Sequence, residues 1–145
     1  MINNEIALRK VEKEAGEDKF LPLRETAKNL VFGKGNPNAR IMFVGEAAGR
    51  QEDEQGFPFV GIAGKNLDKL LNKVGLTLNE VYITNLLKYR PPENRNPNPE
   101  EIRKHIPYLL KQISVIKPGV VCSLGNYATK FFLSEGNVDL MDKQP

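Results

Sequence analysis

The stretch VGEAAGRQEDEQGFPFVG, from Val44 to Gly61, packs four glycines, four acids and two phenylalanines into one segment. Such a mixture cannot run as a single helix or strand. Glycine lets backbone approach a guest closely or take a positive φ. A phenylalanine face offers a base a stacking surface worth roughly 1–3 kcal/mol, and a carboxylate can position or activate a water. Further along, the side chain of Asn85 carries one acceptor and two donors, enough to read the edge of a base. Arg90, Asn94 and Arg95, in a polar loop, suit phosphates. Glu46, Glu52, Asp53, Phe59 and Asn85 therefore form the candidate site, and its chemistry is the handling of a flat base.

Each residue also suits a plainer duty. Asn85 at a strand end can cap a turn. Phe57 and Phe59 can plug core beneath the loop. Glu52 to Glu54 can be a solvated run or the first turn of a short helix. GEAAG lacks the lysine of a phosphate-binding loop. Types and spacing alone stop at an α/β domain with a polar crevice.

Elements must bring these residues together. Ile6, Leu8, Val11 and Ala15 predict an amphipathic helix from Asn4 to Ala15, ending near Gly16. Leu30 to Phe32 is too short to assign. Arg40 to Val44 (RIMFV), flowing into glycine, predicts a buried parallel strand. Leu67, Leu70, Leu71 and Val74 recur at helical spacing and stop at Gly75. Val81 to Thr84 predicts a second strand, ending at Asn85 and followed by the loop RPPENRNPNP. Asn98-Pro99-Glu100-Glu101 supplies a helix cap, a proline at the first position and an acid at the third. A long helix follows through Ile102, Ile106, Leu109, Ile113 and Ile116, with Pro107 expected to bend it. Val120 to Leu124 predicts a third strand, Gly125 a turn, and Asn126 the cap of a helix ending near Gly136. Alternating strands and helices imply an α/β domain with a parallel sheet. Ligands in such sheets bind at the carboxyl ends of strands. The loops after Val44 and Thr84 should therefore face one crevice.

The chain has 145 residues and a formal net charge of +3, one domain's length with no strong demand for a polyanion. The distribution says more. Lys88, Arg90, Arg95, Arg103, Lys104 and Lys111 cluster beside the acidic loop, which suits an anionic polymer whose chemistry occurs at a neutral base; a solvated helix face would look the same. The single cysteine, Cys122, excludes an internal disulfide and a cysteine-built metal cluster. No apolar run reaches membrane-spanning length and the N-terminus lacks a secretory pattern, so a cytoplasmic protein without a membrane partner is the expectation.

The order of the pieces goes further. VGEAAGRQEDEQGFPFVGIAGKNLDKLL, then VYITNLLKYRPPENRNPNPEE, then PYLLKQISVIKPGVVCSLG, resembles the family 4 uracil-DNA glycosylases of bacteria and archaea, from about Leu21 to Leu133. That resemblance implies a three-layer α/β/α fold with a short parallel sheet. It implies base-excision repair, in which uracil is flipped out of single- or double-stranded DNA and its N-glycosidic bond is hydrolysed. It also implies roles. Phe59 would stack on the uracil and Asn85 would bond its pairing edge. Glu46, Ala47 and Ala48 would line the pocket, with Glu46 and Glu52 as the catalytic acids managing water and sugar. Arg90, Asn94 and Arg95 would meet DNA.

Departures from the family carry expectations of their own. Family members use four cysteines to hold an iron–sulfur cluster, and the matching positions here are Asp18, Leu21, Tyr89 and His105, so no cofactor or metal is expected. Leu21 and Tyr89 would fill the vacated volume, with Asp18 and His105 pairing at its edge. His105 suits packing or surface duty better than catalysis. The family's histidine motif and last strand have no match before Pro145. The single domain over residues 1–145 is therefore expected to be incomplete at its C-terminal end, with a sheet edge open to a protein partner and a loss of roughly 10²–10³ in rate. Ala48 stands where proline is usual, and Glu93 stands where glycine is usual and puts negative charge near the phosphates. The alternative to a weakly active glycosylase is a non-catalytic module that keeps the pocket and binds uracil, DNA or a repair partner.

Overall fold

In the computed structural model, which describes residues 3–144, the chain runs α1 (Asn4–Glu17), β1 (Lys34–Gly35), β2 (Ile41–Gly45), α2 (Arg50–Gln55), α3 (Ile62–Lys73), β3 (Val81–Asn85), α4 (Pro99–Ile116), β4 (Val120–Ser123) and α5 (Asn126–Leu133). Short 3-10 turns occupy Pro92–Asn94 and Val138–Lys143. The sheet order is β1-β3-β2-β4. β2 lies parallel to both β3 and β4, as the alternation of strands and helices predicts. β1 adds a two-residue antiparallel edge, too short to leave a periodic signal in sequence.

The strands alternate between two layers. Met42, Val44 and Tyr82 face a core shared with Leu8 and Val11 of α1, Ile102, Ile106 and Leu109 of α4, and Phe131 of α5. Val81 and Ile83 face Leu67 and Leu71 of α3 on the opposite side, beside the partly buried Ile41 and Phe43. Period-two alternation thus feeds two helical layers at once, giving the three-layer architecture.

Several boundaries differ from the sequence expectation. The acidic run forms α2. α3 begins at Ile62, one turn ahead of its apolar stripe, because its first turn faces the site rather than the core. α4 continues through Pro107, and Asn98 and Glu101 cap it reciprocally. Asn126 is not the cap of α5: Gly125 occupies that position, with φ 88°. Phe57 does not plug core; it is exposed.

At the positions aligned with cluster cysteines, Leu21 and Tyr89 are buried in the main core. Asp18 does not pair with His105. Its carboxylate accepts a 2.6 Å bond from the Tyr108 hydroxyl, which with neighbouring backbone N–H groups holds its pKa below the usual range. His105 instead turns inward. Its Nδ1 accepts from the Lys88 backbone N–H at 2.9 Å, so Nε2 carries the proton and donates to Pro22 O at 2.9 Å. Both ring nitrogens are consumed by backbone, which makes His105 a packing residue.

Candidate active site

The parallel register sets Gly45 of β2 opposite Asn85 of β3. Leu86 N donates to Gly45 O at 2.9 Å and Leu87 N to Glu46 O at 3.0 Å, carrying the pairing past the strand ends. The two loops singled out by sequence therefore leave side by side. Between them lies a hollow of about 100 Å³, lined among others by Ala47, Glu52, Phe59, Gly61, Gly64 and Asn85.

Gly45 is required by close approach. A Cβ there would lie 2.6 Å from Asn85 Oδ1 and 2.6 Å from Phe59 Cζ. The ring and the amide thus converge on one point above the strand tip. Asn85 is 2 % exposed, and its Oδ1 is buried with no hydrogen-bond partner among the described residues. Its side chain caps no turn. A buried acceptor left open is rare, and this one is free to accept a hydrogen from a guest.

The Phe59 wall is held under strain. Its φ is 53°, a left-handed conformation that costs a non-glycine residue about 1–2 kcal/mol. Charged side chains fix it from two directions. One oxygen of Glu52 accepts from Val60 N at 3.1 Å and Gly61 N at 2.7 Å, and the other accepts from Gly49 N at 3.0 Å. Lys34 Nζ donates to Phe59 O at 3.1 Å. Burial pushes the Lys34 pKa down, against the pull of Asp68 and Glu52. Gly64, in the first turn of α3, lets the Phe59 carbonyl press against the helix, where a Cβ would collide with it.

Glu46 and Ala48 line an adjoining hollow with Ala47, Asn94 and Arg95. Ala47 is common to both hollows. Glu46 is half-buried, and burial raises its pKa above the ordinary carboxylate range. It is the carboxylate at the strand tips not committed to backbone. Asp53 is committed elsewhere: its Oδ1 accepts from Lys28 N at 2.9 Å and Asn29 N at 3.0 Å, anchoring α2 to the preceding segment. In the proline-rich loop, Arg90 Nε donates to Asn94 Oδ1 at 2.7 Å. Arg95 forms a two-pronged pair with Glu101, which lowers the Glu101 pKa and pins the loop to the start of α4.

Sequence reasoning missed Lys34, Gly64 and Lys88. The lysines read as surface charge, and Gly64 reads as one more glycine in a glycine-rich stretch. Lys88 left one usable signal: it closes the run VYITNLLK, in which five of the other seven residues are apolar.

Adjacent parallel strand tips, an aromatic ring and an open amide line one hollow that can admit a flat, hydrogen-bonding ring. The chain belongs to the uracil DNA glycosylase superfamily, whose family model matches residues 32–143. It is 51% identical over 112 residues to the type-4 uracil-DNA glycosylase of Archaeoglobus fulgidus, covering 77% of this chain and 56% of that protein. It is 45% identical over 119 residues to the type-4 enzyme of Thermotoga maritima, covering 82% and 62% respectively. A DNA polymerase of Bacillus phage SP01 matches at 37% over 110 residues, covering 75% of this chain and 12% of the polymerase. The chain thus spans a little over half the length of the type-4 relatives it matches.

The iron–sulfur cluster implied by the type-4 resemblance does not fit the residues in its place. Leu21 offers no donor atom, both nitrogens of His105 are bonded to backbone, and the Asp18 carboxylate holds Tyr108. Among the described residues, no group of three or more His, Cys, Asp or Glu is placed to hold a metal, and no helix is long and apolar enough to cross a membrane.

Proposed function

We propose that this chain excises uracil from DNA, hydrolysing the bond between the base and deoxyribose without a metal cluster. The observation that carries the reading is the open, buried Oδ1 of Asn85 beside the Phe59 ring. Uracil presents an N3–H donor next to its O4 acceptor. The Asn85 amide answers both, Oδ1 accepting and Nδ2 donating, while cytosine offers the reverse pair. Phe59 stacks on the extruded ring, and extrusion is needed because the pocket cannot reach a base inside the duplex.

The reaction breaks the C1′–N1 bond, and both electrons leave with the base. Water adds to C1′, and the Glu46 carboxylate takes its proton; a raised pKa suits a general base near neutral pH. Glu52 is a positioning residue in this scheme, since backbone N–H groups occupy its oxygens. Arg90 and Asn94 supply contacts to the DNA backbone, and Arg95 shapes their loop through Glu101. The test is incubation with a uracil-bearing single-stranded oligonucleotide, then alkali to break abasic sites. Strand breaks at uracil that fall by about 10²-fold or more in Asn85→Ala support the reading. Binding without breaks would reduce the chain to a uracil-holding module. Absence of both binding and strand breaks would sink it.

A further inference from the structure

Lys88 lies fully buried behind the Asn85 strand tip. Its Nζ sits 2.7 Å from Thr84 Oγ1, 2.7 Å from the backbone oxygen of Asn85 and 2.5 Å from Gln112 Oε1. The hydrogens around it can be counted. The Thr84 hydroxyl has the Phe32 carbonyl at 2.6 Å, and the Gln112 amide donates to the same carbonyl at 2.9 Å and to the Tyr82 hydroxyl at 3.2 Å. The Thr84 hydroxyl also has Gln112 Oε1 at 3.2 Å, and with its hydrogen on the nearer Phe32 carbonyl all three atoms facing Nζ are acceptors. An ammonium fills them with three hydrogens; a neutral amine has two, and would turn its lone pair toward the third acceptor. Burial pushes the Lys88 pKa well below the usual lysine range, and this cage works in the other direction. The Phe32 ring, 5.7 Å from Nζ, adds a further attraction for the cation.

The three acceptors are neutral, and His105, which accepts the Lys88 backbone N–H, is held neutral by burial with its pKa near 4. A buried cation without a counter-ion is costly. This one touches the backbone of the residue whose side chain faces the pocket. We propose that Lys88 is a positioning residue for base release: its ammonium fixes the Asn85 strand tip and biases the pocket toward a base carrying negative charge. The inference rests on the function proposed above. When C1′–N1 breaks, the bonding electrons settle on N1 and spread to the uracil oxygens. A fixed positive charge in a dry site stabilises that state without reorganising, and Lys88 keeps its proton throughout.

The experiment compares uracil with the more acidic 5-fluorouracil as free bases, by calorimetry in mildly alkaline buffer where only the second is appreciably ionised. The native chain is expected to prefer 5-fluorouracil. Lys88→Met should cut that preference by about tenfold, the scale of one charge acting at short range through protein. Gln112→Glu sets a carboxylate beside the ammonium and should do the same with the lysine retained, which keeps the test open where Lys88→Met fails to fold. Single-turnover excision gives a second readout: Lys88→Met should slow release of uracil more than release of 5-fluorouracil. A native chain that binds and excises neither base overturns the proposed function and this inference with it. A native chain that binds both, with a ratio unchanged in the variants, overturns the role of the charge alone.

Discussion

A buried carbonyl oxygen with no hydrogen directed at it costs roughly 1–3 kcal/mol, and Asn85 Oδ1 is such an atom. Under the proposed function, recognition and stability therefore oppose one another at this residue. Asn85→Ala is expected to raise the unfolding free energy by about 1 kcal/mol, read as a higher urea midpoint at unchanged slope, while uracil binding disappears. A midpoint that falls instead would mean that the amide is already satisfied in the free protein. Gly45→Ala makes the complementary case. Its Cβ would meet Asn85 Oδ1 and Phe59 Cζ, both at 2.6 Å, so ring and amide must separate. Because Gly45 has no positive φ, β2 should persist. The expected outcome is a chain that unfolds within about 1–2 kcal/mol of the native one and has lost base binding by titration.

Elements set the site through their ends, and the ends were the least legible part of the sequence. The apolar runs of β2 and β3 could be read directly, and so could the capping box of α4, because each is a local pattern with a physical meaning. The neighbourhood of Phe59 and Asn85 followed from parallel strands with a common direction. What was hidden depends on non-local contact. Glu52 reads as one acid in an acidic run, yet it ties α2 to the Phe59 loop through two backbone N–H groups, Val60 and Gly61, while its other oxygen caps α2 at Gly49 N. Glu93 reads as an unwanted charge where the family has glycine, and its φ of 56° adds the reason for glycine: the 3-10 turn demands a left-handed residue there. Glu93→Gly should relieve strain of about 1 kcal/mol, offset in part by the entropy of glycine. It also removes a negative charge beside Arg90 and Asn94. DNA binding should tighten about two- to fivefold at low salt, with the gain shrinking as salt rises. Fluorescence anisotropy across a salt series would check it, and a gain independent of salt would assign the effect to loop shape rather than charge.

Across the whole molecule, the interior is held by a polar seam as well as by apolar layers, and its one histidine gives the seam a readable pH signature. Burial lowers the His105 pKa from 6.5 to about 4, with only partial compensation from the bond to Pro22. The unfolded chain therefore binds a proton through a range where the folded chain does not. By linkage, stability rises with pH across that range and is lost as pH falls from about 6.5 toward about 4, a span worth about 3 kcal/mol. Below that window Asp18, Glu14 and Glu101, whose pKa values are lowered mainly by bonds to Tyr108, Lys111 and Arg95, extend the loss. Glu46 acts in the opposite sense, since its raised pKa favours the folded state as it takes up a proton. The decline across the upper window is assigned to His105, since no other histidine titrates there. His105→Gln can keep both bonds, its carbonyl accepting from Lys88 N and its amide donating to Pro22 O. That variant should fold, and its stability should hold or rise slightly, through Glu46, as pH falls from 6.5 to about 4.5, where the native chain's declines. Urea unfolding at a series of pH values decides it, and a native curve already flat over that interval would show that His105 takes up its proton inside the folded core.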